Sequence, residues 1–495
     1  RGIYPDMYRG RLWSRRQLCG FGSPEATNDR IKFLVAQGES AVNIAFDIPT
    51  NSGVDGDHPL AQGDIGLQGM PISTLQDMDE ALADLPLDKV SVNLSTIGTS
   101  MIMAFYLAAA KKRGFDFGEL RGTILNDTLG DPFCGYKRSF VPPRLALRQA
   151  IDLVEYCIQN VPKWNPLSVD GYNIRENGVN APQEIAFTFG LAKDYIREGL
   201  RRGLDIDELA PRITFTASAE MDFFEEICKL RAARRLWARI VHDEFGGRSD
   251  KALKYKFHVH TAGASLTRQQ PLNNLIRVTI EAMAGILGGT QSLHTCSYDE
   301  NMGLPTEESV ELAVRTQQIL AYESRIGNVA DPLAGSYYVE SLTTRMEEEI
   351  QALVTEIDDL GGMAAAMDAG WTDKVIDNHA HKIQMEIEKG ERSIVGVNTG
   401  VSDDPKDHEV RVHEVPAELV SNHIERLRNY KQNRDQEKVA AALKNLRAVA
   451  SREGENMFPA AIEAVEAGAT LGELNGYVRE GFGFPYDDFG AEKAP

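Results

Sequence analysis

The strongest constraint on the fold is an alternation of two sequence patterns between about residue 40 and residue 335. Short apolar runs rich in β-branched residues alternate there with longer amphipathic helical patterns, such as PRLALRQAIDLVEYCIQNV. Repeated βα units of this kind build a parallel sheet with helices packed on its faces. The strand candidates are residues 41–48, 90–96, 122–127, 167–172, 212–218, 257–263 and 290–295, with a weaker eighth near 328–332. This series predicts an α/β fold, and within that class a (β/α)8 TIM barrel over residues 36–336.

The residues at alternate strand positions are unusually polar for a barrel, whose interior is normally filled by bulky aliphatic side chains. The polar positions are Asn43, Asn93, Ser95, Thr214, Thr216, His258 and His260. They are either core residues whose hydrogen bonds are satisfied within the barrel, or the lining of a lumen that admits a ligand. The strand pattern alone leaves both interpretations open.

The regions on either side of the barrel differ in character. Residues 1–35 contain the segment YPDMYRGRLWSRRQLCGFG, in which aromatic side chains are interleaved with arginines. Guanidinium groups bind phosphates and aromatic rings stack on bases, so this segment is a candidate for nucleotide or phosphate binding. The alternative is a chain segment that simply packs through its aromatic rings. Residues 337–495 are predicted to form a mostly helical C-terminal region.

Charge and cysteine content exclude several functional classes. The chain of 495 residues has a formal net charge of −20, which argues against nucleic acid or an anionic membrane surface as the main partner. Its five cysteines are scattered and include no CxxC pair, as expected of reduced thiols in a cytoplasmic protein. No apolar run approaches the roughly 20 residues of a membrane span, and no signal-peptide pattern is present.

The sequence lacks the common motifs of catalysis by side chains alone. No P-loop, GxSxG or HExxH motif is found, and Cys296 has no activating base close to it in sequence. His379 and His381 lie in a helical pattern and are more typical of a solvated helix face than of a metal site, so we expect no metal site in this chain. Polar side chains crowd instead into residues 288–300 and 315–336, flanked by Gly and Pro. A bound cofactor that performs the difficult step fits this pattern better.

Seven segments resemble the barrel-bearing part of the adenosylcobalamin-dependent acyl-CoA mutases, the methylmalonyl-CoA mutase family. They occur in the same order as in that family, along nearly the whole chain. The segments are YPDMYRGRLWSRRQLCGF, GESAVNIAFDIPT, GTILND, PKWNPLSVDGYNIRENG, PRITFTASAEMDFF, GGTQSLHTCSYDE and residues 315–336. The resemblance implies a (β/α)8 barrel whose lumen is threaded by the pantetheine arm of coenzyme A, with residues 1–35 as a CoA-binding segment. It also implies a radical rearrangement of the carbon skeleton of an acyl-CoA.

The resemblance assigns two sets of binding residues by position. The CoA path would be lined by Tyr4, Met7, Arg11, Ser14, Arg16, Asn43, Asn93, Ser95, Thr123, Arg212 and Thr214. The cobalamin and its adenosyl group would face Phe46, Glu176, Gly263, Ala264, Gln291 and Glu300. Glu300 is the candidate for the ribose hydroxyls.

The family's cobalamin-binding motif, D-x-H-x-x-G, has no match in this sequence. The closest string is Asp377-x-His379-x-x-Lys382, which lacks the glycine, and no flavodoxin-like pattern follows residue 490. The resemblance is therefore to the large subunit of a split mutase. It implies a small cobalamin-binding subunit that supplies the axial histidine to cobalt, a heterotetrameric assembly and a G-protein chaperone.

The acyl pocket departs from methylmalonyl-CoA mutase at most of the positions that contact the substrate. Leu18 replaces a tyrosine beside the migrating group, and Leu125 and Asn173 replace a glutamine and a histidine that hold the thioester carbonyl. The arginine that pairs with the methylmalonyl carboxylate becomes Tyr136, or Gly135 if the gap in this loop is placed differently. Without that arginine a carboxylate loses its charged fork, although Lys137 or Arg138 could replace it. Other replacements are His260 for glutamine, Ala264 for tryptophan, Thr216 and Ala217 for an aromatic pair, and Ala45 for the aspartate of 2-hydroxyisobutyryl-CoA mutases.

These replacements predict the substrate class. Smaller residues enlarge the pocket, so we expect an acyl group bulkier than methylmalonyl, either branched or aryl-substituted. Asn173 and His260 are the candidate donors to the thioester carbonyl, with Leu18, Leu125 and Tyr136 shaping the acyl pocket. Two alternatives stay open: a small uncharged substrate such as isobutyryl-CoA, and a catalytically inactive scaffold that binds CoA.

Overall fold

The computed structural model describes residues 2–39, 41–134, 142–402 and 415–494. The strands are β1 (Ser14–Arg15), β2 (Leu18–Cys19), β3 (Val42–Ala45), β4 (Val92–Ser95), β5 (Gly122–Ile124), β6 (Trp164–Asn165), β7 (Leu167–Asp170), β8 (Ile213–Ala219), β9 (Phe257–Thr261) and β10 (Ser292–His294). The helices up to residue 239 are α1 (Pro24–Ala36), α2 (Ile48–Asn51), α3 (Leu75–Ala81), α4 (Ile102–Lys112), α5 (Pro143–Asn160), α6 (Gly171–Glu176), α7 (Ala181–Arg201), α8 (Ile206–Leu209) and α9 (Phe223–Arg239). The later helices are α10 (Asn273–Gly288), α11 (Glu307–Tyr322), α12 (Tyr337–Asp359), α13 (Met363–Asp368), α14 (Trp371–Glu388), α15 (Ala417–Asn433), α16 (Gln436–Ala450), α17 (Phe458–Ala467) and α18 (Leu471–Gly481).

All of the strand pairs are parallel and fall into two five-stranded sheets, ordered β1-β10-β9-β8-β7 and β2-β3-β4-β5-β6. The sheets share both edges, because β1 runs into β2 within residues 14–19 and β6 runs into β7 within residues 164–170. The ladder is interrupted at Gln17, whose backbone N–H donates to the Glu39 carboxylate at 3.2 Å, and at Pro166. Eight extended segments therefore follow one another around a common axis, the arrangement of a (β/α)8 barrel.

The position of the eighth strand differs from the sequence prediction. Residues 326–328 form a short 3-10 helix rather than a strand, so the prediction near 328–332 is wrong. The missing strand is residues 14–19, within the segment assigned above only to ligand binding. Its sequence, SRRQLC, shows no apolar alternation, because the side chains that this strand directs towards the barrel axis are polar.

The parallel register separates polar and apolar side chains onto opposite faces of the strands. Asn43 pairs with Asn93, and Thr216 pairs with His258, so polar residues of neighbouring strands lie side by side. The residues between them are fully buried against the helices: Ile44, Leu94, Val169, Phe215, Val259 and Leu293. The polar face is the inner one, because the surrounding helices pack against the apolar face.

Helices of the C-terminal region complete the core on two sides of the barrel. Helix α4 is buried on all sides along IMAFYLAAA, because α17 covers the surface that the strands leave free. Helix α12 packs against α7 and α9 on the opposite side. None of the helices in the described ranges is long and apolar enough to cross a membrane.

Candidate active site

A cavity of about 610 Å³ extends from the N-terminal segment into the barrel lumen. Twelve of the lining residues are candidates from the sequence, and they fall on the N-terminal segment and on or next to strands from both sheets. They are Tyr4, Met7, Arg11, Ser14, Arg16, Asn93, Thr123, Leu125, Thr214, Thr216, His258 and Gln291. Four of the seven polar strand residues therefore line a lumen, whereas Asn43, Ser95 and His260 do not line the cavity and have hydrogen-bond partners within the barrel.

Positive charges gather where the cavity meets the N-terminal ends of the strands. Burial and the neighbouring Arg11 lower the pKa of Arg16 to about 10. Burial and the charges of Arg212 and Lys254 lower the pKa of Lys256 to about 8. Among the described residues no carboxylate forms an ion pair with Arg11, Arg16 or Lys256, although the chain is strongly acidic overall. Cations that repel one another in this way fit an anionic ligand.

Three of the predicted CoA residues form a hydrogen-bonded group, of which Asn93 lines the cavity and Asn43 and Ser95 do not. The Nδ2 atom of Asn93 donates to Oδ1 of Asn43 at 2.6 Å and to Oγ of Ser95 at 2.9 Å. The Ser95 hydroxyl donates to the same Asn43 oxygen at 2.9 Å. Arg212 does not line the cavity, and its guanidinium donates to the carbonyls of Pro162 and Trp164.

At the opposite end of the barrel, α6 carries two of the predicted site residues, Asn173 and Glu176. The Oε2 atom of Glu176 accepts a hydrogen bond from the backbone N–H of Ala264 at 2.9 Å. Its Oε1 atom is buried and has no hydrogen-bond partner among the described residues. A Cβ added at Gly263 would lie 3.1 Å from Glu176 Oε2 and 3.3 Å from the Tyr172 hydroxyl, so a side chain there would fill this recess. An unpaired carboxylate oxygen beside such a recess fits a ligand that carries hydroxyl donors.

Glu300 lies near the same recess. Burial raises the pKa of Glu176 to about 7, with the charge of Glu220 as a smaller cause. Burial also raises the pKa of Glu300 to about 7. Both carboxylates act on Tyr172, whose pKa is raised well above its ordinary value, first by burial and then by Glu176, Cys296, Glu300 and Asp170. These groups therefore share one electrostatic environment.

Three rings pack in a row at tilted angles, and the first of them, Tyr172, borders this recess. The ring centroids of Tyr172 and His260 are 3.9 Å apart, and those of His260 and His294 are 4.0 Å apart. The Nδ1 atom of His260 lies 2.8 Å from the carbonyl of Thr261, so it must carry the proton, and Nε2 is left as an acceptor. Burial lowers the pKa of His260 to about 4, which keeps the ring neutral. In this tautomer His260 cannot donate a hydrogen bond into the lumen.

A family model described as methylmalonyl-CoA mutase matches residues 1–484. The chain belongs to this family. It is 40% identical over 476 residues to the 2-hydroxyisobutanoyl-CoA mutase large subunit of Aquincola tertiaricarbonis, covering 96% of this chain and 84% of that protein. The methylmalonyl-CoA mutases of Rhizobium meliloti (strain 1021) and Escherichia coli (strain K12) are 39% and 40% identical, over 98% and 96% of this chain. The chain spans 68% and 66% of the lengths of those two proteins.

Members of the methylmalonyl-CoA mutase family are isomerases that use adenosylcobalamin, so the fold class, the enzyme class and the type of cofactor predicted from the sequence are confirmed. The recess beside Glu176 fits the polar part of such a cofactor, because it offers an unpaired acceptor and a glycine that leaves space.

Two of the predicted cofactor residues, Gln291 and Phe46, lie away from the recess beside Glu176 and Glu300 in this chain. Gln291 precedes β10 and lines the N-terminal end of the lumen, where its side chain is held by the Phe257 N–H at 2.9 Å and the Gly289 carbonyl at 2.7 Å. Phe46 is only 2% exposed and packs in the apolar core.

The acyl-pocket residues are only partly brought together. Leu18 pairs with Asn43 in the strand register, and Leu125 lines the cavity. Ala217 lies on the outer face of β8 in the apolar core, so its small size does not enlarge the lumen, and that part of the substrate argument is wrong. Tyr136, together with the neighbouring Gly135, Lys137 and Arg138, lies outside the described residues.

Sequence reasoning missed three features of the site. Asp170 ends β7 and contacts Asn173, and the sequence signal was an acidic residue at the start of the short helix in DGYN. Lys256 precedes β9 and joins the cationic end of the cavity. The sulfur of Cys296 lies 3.9 Å from His260 Nδ1, the nitrogen that carries the proton, so the imidazole contacts the thiol without offering it a base. Burial raises the pKa of this thiol well above its ordinary value and lowers that of the imidazole, so both stay neutral.

Proposed function

We propose that this chain is the catalytic large subunit of an adenosylcobalamin-dependent acyl-CoA mutase that works in the cytoplasm. A separate small subunit binds the cobalamin and supplies the axial histidine to cobalt, the assembly is a heterotetramer, and a G-protein chaperone serves it. The observation that carries the proposal is the polar lumen, whose cationic N-terminal end suits the phosphates of coenzyme A. In this arrangement the pantetheine arm runs along the lumen past Asn93, Thr123 and Thr214, and the acyl group lies towards α6.

The cofactor would be held at the C-terminal end of the barrel. Glu176 and Glu300 offer carboxylate oxygens to the ribose hydroxyls of the adenosyl group, while Gly263 and Ala264 leave space for it. When bound, adenosylcobalamin supplies the radical chemistry that the family's reaction needs. The protein's own residues bind and orient the acyl-CoA and exclude water around the reacting carbons. We reassign Gln291 to the CoA end of the lumen because of its position before β10.

The acyl group is proposed to be uncharged and bulkier than methylmalonyl. Leu125 lines the cavity, and Leu18, beside Asn43 in the strand register, would extend its apolar wall, while Thr216 and Ala264 replace larger family residues. The same two leucines also favour the second candidate, a small uncharged group such as isobutyryl. The relative named as a 2-hydroxyisobutanoyl-CoA mutase large subunit supports a substrate without a carboxylate, although Ala45 argues against the hydroxylated substrate itself. An inactive CoA-binding scaffold is disfavoured by the unpaired carboxylate oxygen of Glu176.

The test is an isomerisation assay of this chain with a small cobalamin-binding subunit and adenosylcobalamin. Methylmalonyl-CoA, isobutyryl-CoA and a phenyl-bearing acyl-CoA are supplied separately, and products are separated by mass and retention. We expect isomerisation of one of the uncharged substrates and none of methylmalonyl-CoA, with no product when adenosylcobalamin is omitted. Turnover of methylmalonyl-CoA would contradict the pocket assignment, and CoA binding without any turnover would favour the scaffold.

A further inference from the structure

A carboxylate at the end of β7 is bonded directly to the side chain of Asn173. The Nδ2 atom of Asn173 donates to Oδ2 of Asp170 at 2.5 Å. The other carboxylate oxygen of Asp170 accepts the backbone N–H of Tyr172 at 3.2 Å, which makes Asp170 the N-cap of α6. The backbone N–H of Asp170 donates in turn to Asp127 at 2.8 Å. Asp170 is thus fixed from both sides and holds Asn173 in one place.

The register of the sheet places Asp170 on the inner face of the barrel. Ser168, two residues earlier, lines the cavity and shares a hydrogen bond of 3.3 Å with Thr216. Asp170 itself pairs with Thr216 in the ladder between β7 and β8. Because side chains alternate along a strand, Asp170 follows Ser168 on the same face, one layer closer to α6. Asp170 is only 4% exposed, whereas Asn173 is partly exposed and open to a ligand.

Of the two candidate donors to the thioester carbonyl, only Asn173 has a proton to give. His260 uses its N–H on the Thr261 carbonyl and offers an acceptor nitrogen instead. The amide of Asn173 has two N–H groups, of which Asp170 takes one. The second N–H is held in a fixed direction by the first.

We propose that Asp170 is a positioning residue that orients the Asn173 amide, so that its second N–H meets the thioester carbonyl of the acyl-CoA. This inference rests on the proposed function and adds a residue to it. An ionised carboxylate only accepts hydrogen bonds, so it selects the NH2 group of the amide over its oxygen. An uncharged partner at position 170 would accept either orientation of the Asn173 amide. In the flipped orientation Oδ1 of Asn173, rather than its NH2 group, would face the thioester carbonyl oxygen, and the two oxygens would repel each other.

Protonation of Asp170 should therefore remove the orientation. Burial raises the pKa of Asp170 to about 7, and the nearby charge of Asp127 contributes. Above that pH the Asp170 carboxylate is ionised and selects the NH2 group of Asn173. Below it, the protonated carboxyl group can donate a hydrogen bond to the amide oxygen, which allows the amide to flip. The other titratable groups that face Asp170 among the described residues are Asp127, Cys134 and Tyr172. Burial raises the pKa values of the Cys134 thiol and Tyr172 well above their ordinary values, so both stay neutral in this range.

The test compares two ligands that differ only at the carbonyl. Calorimetric titration of the chain with isobutyryl-CoA and with its thioether analogue, in which CH2 replaces C=O, measures the carbonyl interaction as a ratio of affinities. We expect the wild-type chain to prefer the thioester by about fivefold at pH 8, the value of one hydrogen bond. Asp170→Asn and Asn173→Leu should each bring the ratio close to one and leave the affinity for the thioether unchanged. Lowering the pH from 8 to 6 should reduce the ratio in the wild type but not in Asp170→Asn.

The matched control is Asp435→Asn, which changes another N-cap aspartate, at the start of α16 and far from the lumen. Asn caps helices as well as Asp does, so neither substitution should unfold its helix, and thermal unfolding checks this. A full preference retained by Asp170→Asn, or a wild-type preference that ignores pH, would overturn the positioning role. Failure of the wild type to bind either ligand would instead overturn the proposed function.

Discussion

The side chains at the N-terminal end of the lumen show how single residues define the ligand. Burial and nearby cations lower the pKa values of Arg16 and Lys256, and neither these two residues nor Arg11 forms an ion pair with a carboxylate among the described residues. Burial of such charges costs free energy unless an anion compensates for it. In the proposed function the phosphates of coenzyme A would provide that anion, and their binding should raise the lowered pKa values of Arg16 and Lys256.

Replacing Arg16 with glutamine should weaken the binding of isobutyryl-CoA by about tenfold or more, because a buried charge-assisted hydrogen bond to phosphate is lost. The effect should shrink as salt concentration rises, since screening weakens the wild-type interaction. The Kd measured by calorimetry at two salt concentrations tests this. Arg345→Gln on the exposed surface of α12 is the control and should change nothing. Equal affinity of Arg16→Gln and the wild type for isobutyryl-CoA would show that Arg16 does not bind a phosphate of the ligand.

Site residues could be predicted from the sequence where their role follows from a family motif. They could not be predicted where their role depends on neighbours that only the fold brings close. Eight of the predicted CoA residues line the cavity, because the N-terminal segment and the strand positions match the family motifs. The roles of Asp170 and Lys256 could not be predicted, because they depend on the hydrogen bond of Asp170 with Asn173 and on the charges of Arg212 and Lys254 near Lys256. Gln291 was grouped with the cofactor, although its position before a strand, rather than after it, places it at the other end of the barrel.

At the scale of elements, α6 is the piece on which the site depends, and a buried charge network fixes it. Arg175 on α6 donates to Glu220 at 2.8 Å and to Glu226 at 3.4 Å. Lys229 on α9 donates to Glu184 on α7 at 2.6 Å and forms an ion pair with Glu226. These contacts join α6, α7 and α9 behind the end of β8, so the helix that carries Asn173 and Glu176 has little freedom to move.

Replacing Lys229 with methionine should destabilise the fold by about 3–5 kcal/mol, because Arg175 would be left as the cation that faces both buried carboxylates, Glu184 and Glu226. Urea unfolding followed by circular dichroism measures the change. Lys111→Met is the control: Lys111 also pairs with a glutamate, Glu466 at 2.7 Å, but its side chain is 61% exposed. That surface pair should contribute about 0–1 kcal/mol. Similar losses in the two variants would show that the buried network does not stabilise α6.

Elements with an apolar alternation could be predicted from the sequence, and the one without it could not. The strands from residue 42 to residue 294 fall within or beside predicted segments, because their buried face is made of β-branched and aromatic residues. Residues 14–19 give no such signal: they close the series by pairing with β10 on one side and with β3 on the other. Their polar side chains face the lumen, and they remove the apolar alternation from which a strand is predicted.

On the scale of the whole molecule, the two ends of one barrel separate two tasks. The N-terminal end gathers positive charge within a chain of net charge −20, and the C-terminal end gathers Glu176, Glu300 and Asp170, whose pKa values burial raises to about 7. A ligand that is anionic at one end and uncharged at the other is oriented by this difference before it makes any specific contact. Acyl-CoA has this distribution of charge.

An acyl-CoA that occupies the lumen along its length should bind weakly when a side chain blocks the lumen halfway. Thr216→Phe introduces a ring at an inner position that lines the cavity of about 610 Å³, so the fold has room for it. Calorimetric titration with isobutyryl-CoA should give a Kd raised by about tenfold or more, while Thr355→Phe on the exposed surface of α12 leaves Kd unchanged. Wild-type affinity in a correctly folded Thr216→Phe variant would contradict the claim, because the ligand would then bind outside the lumen.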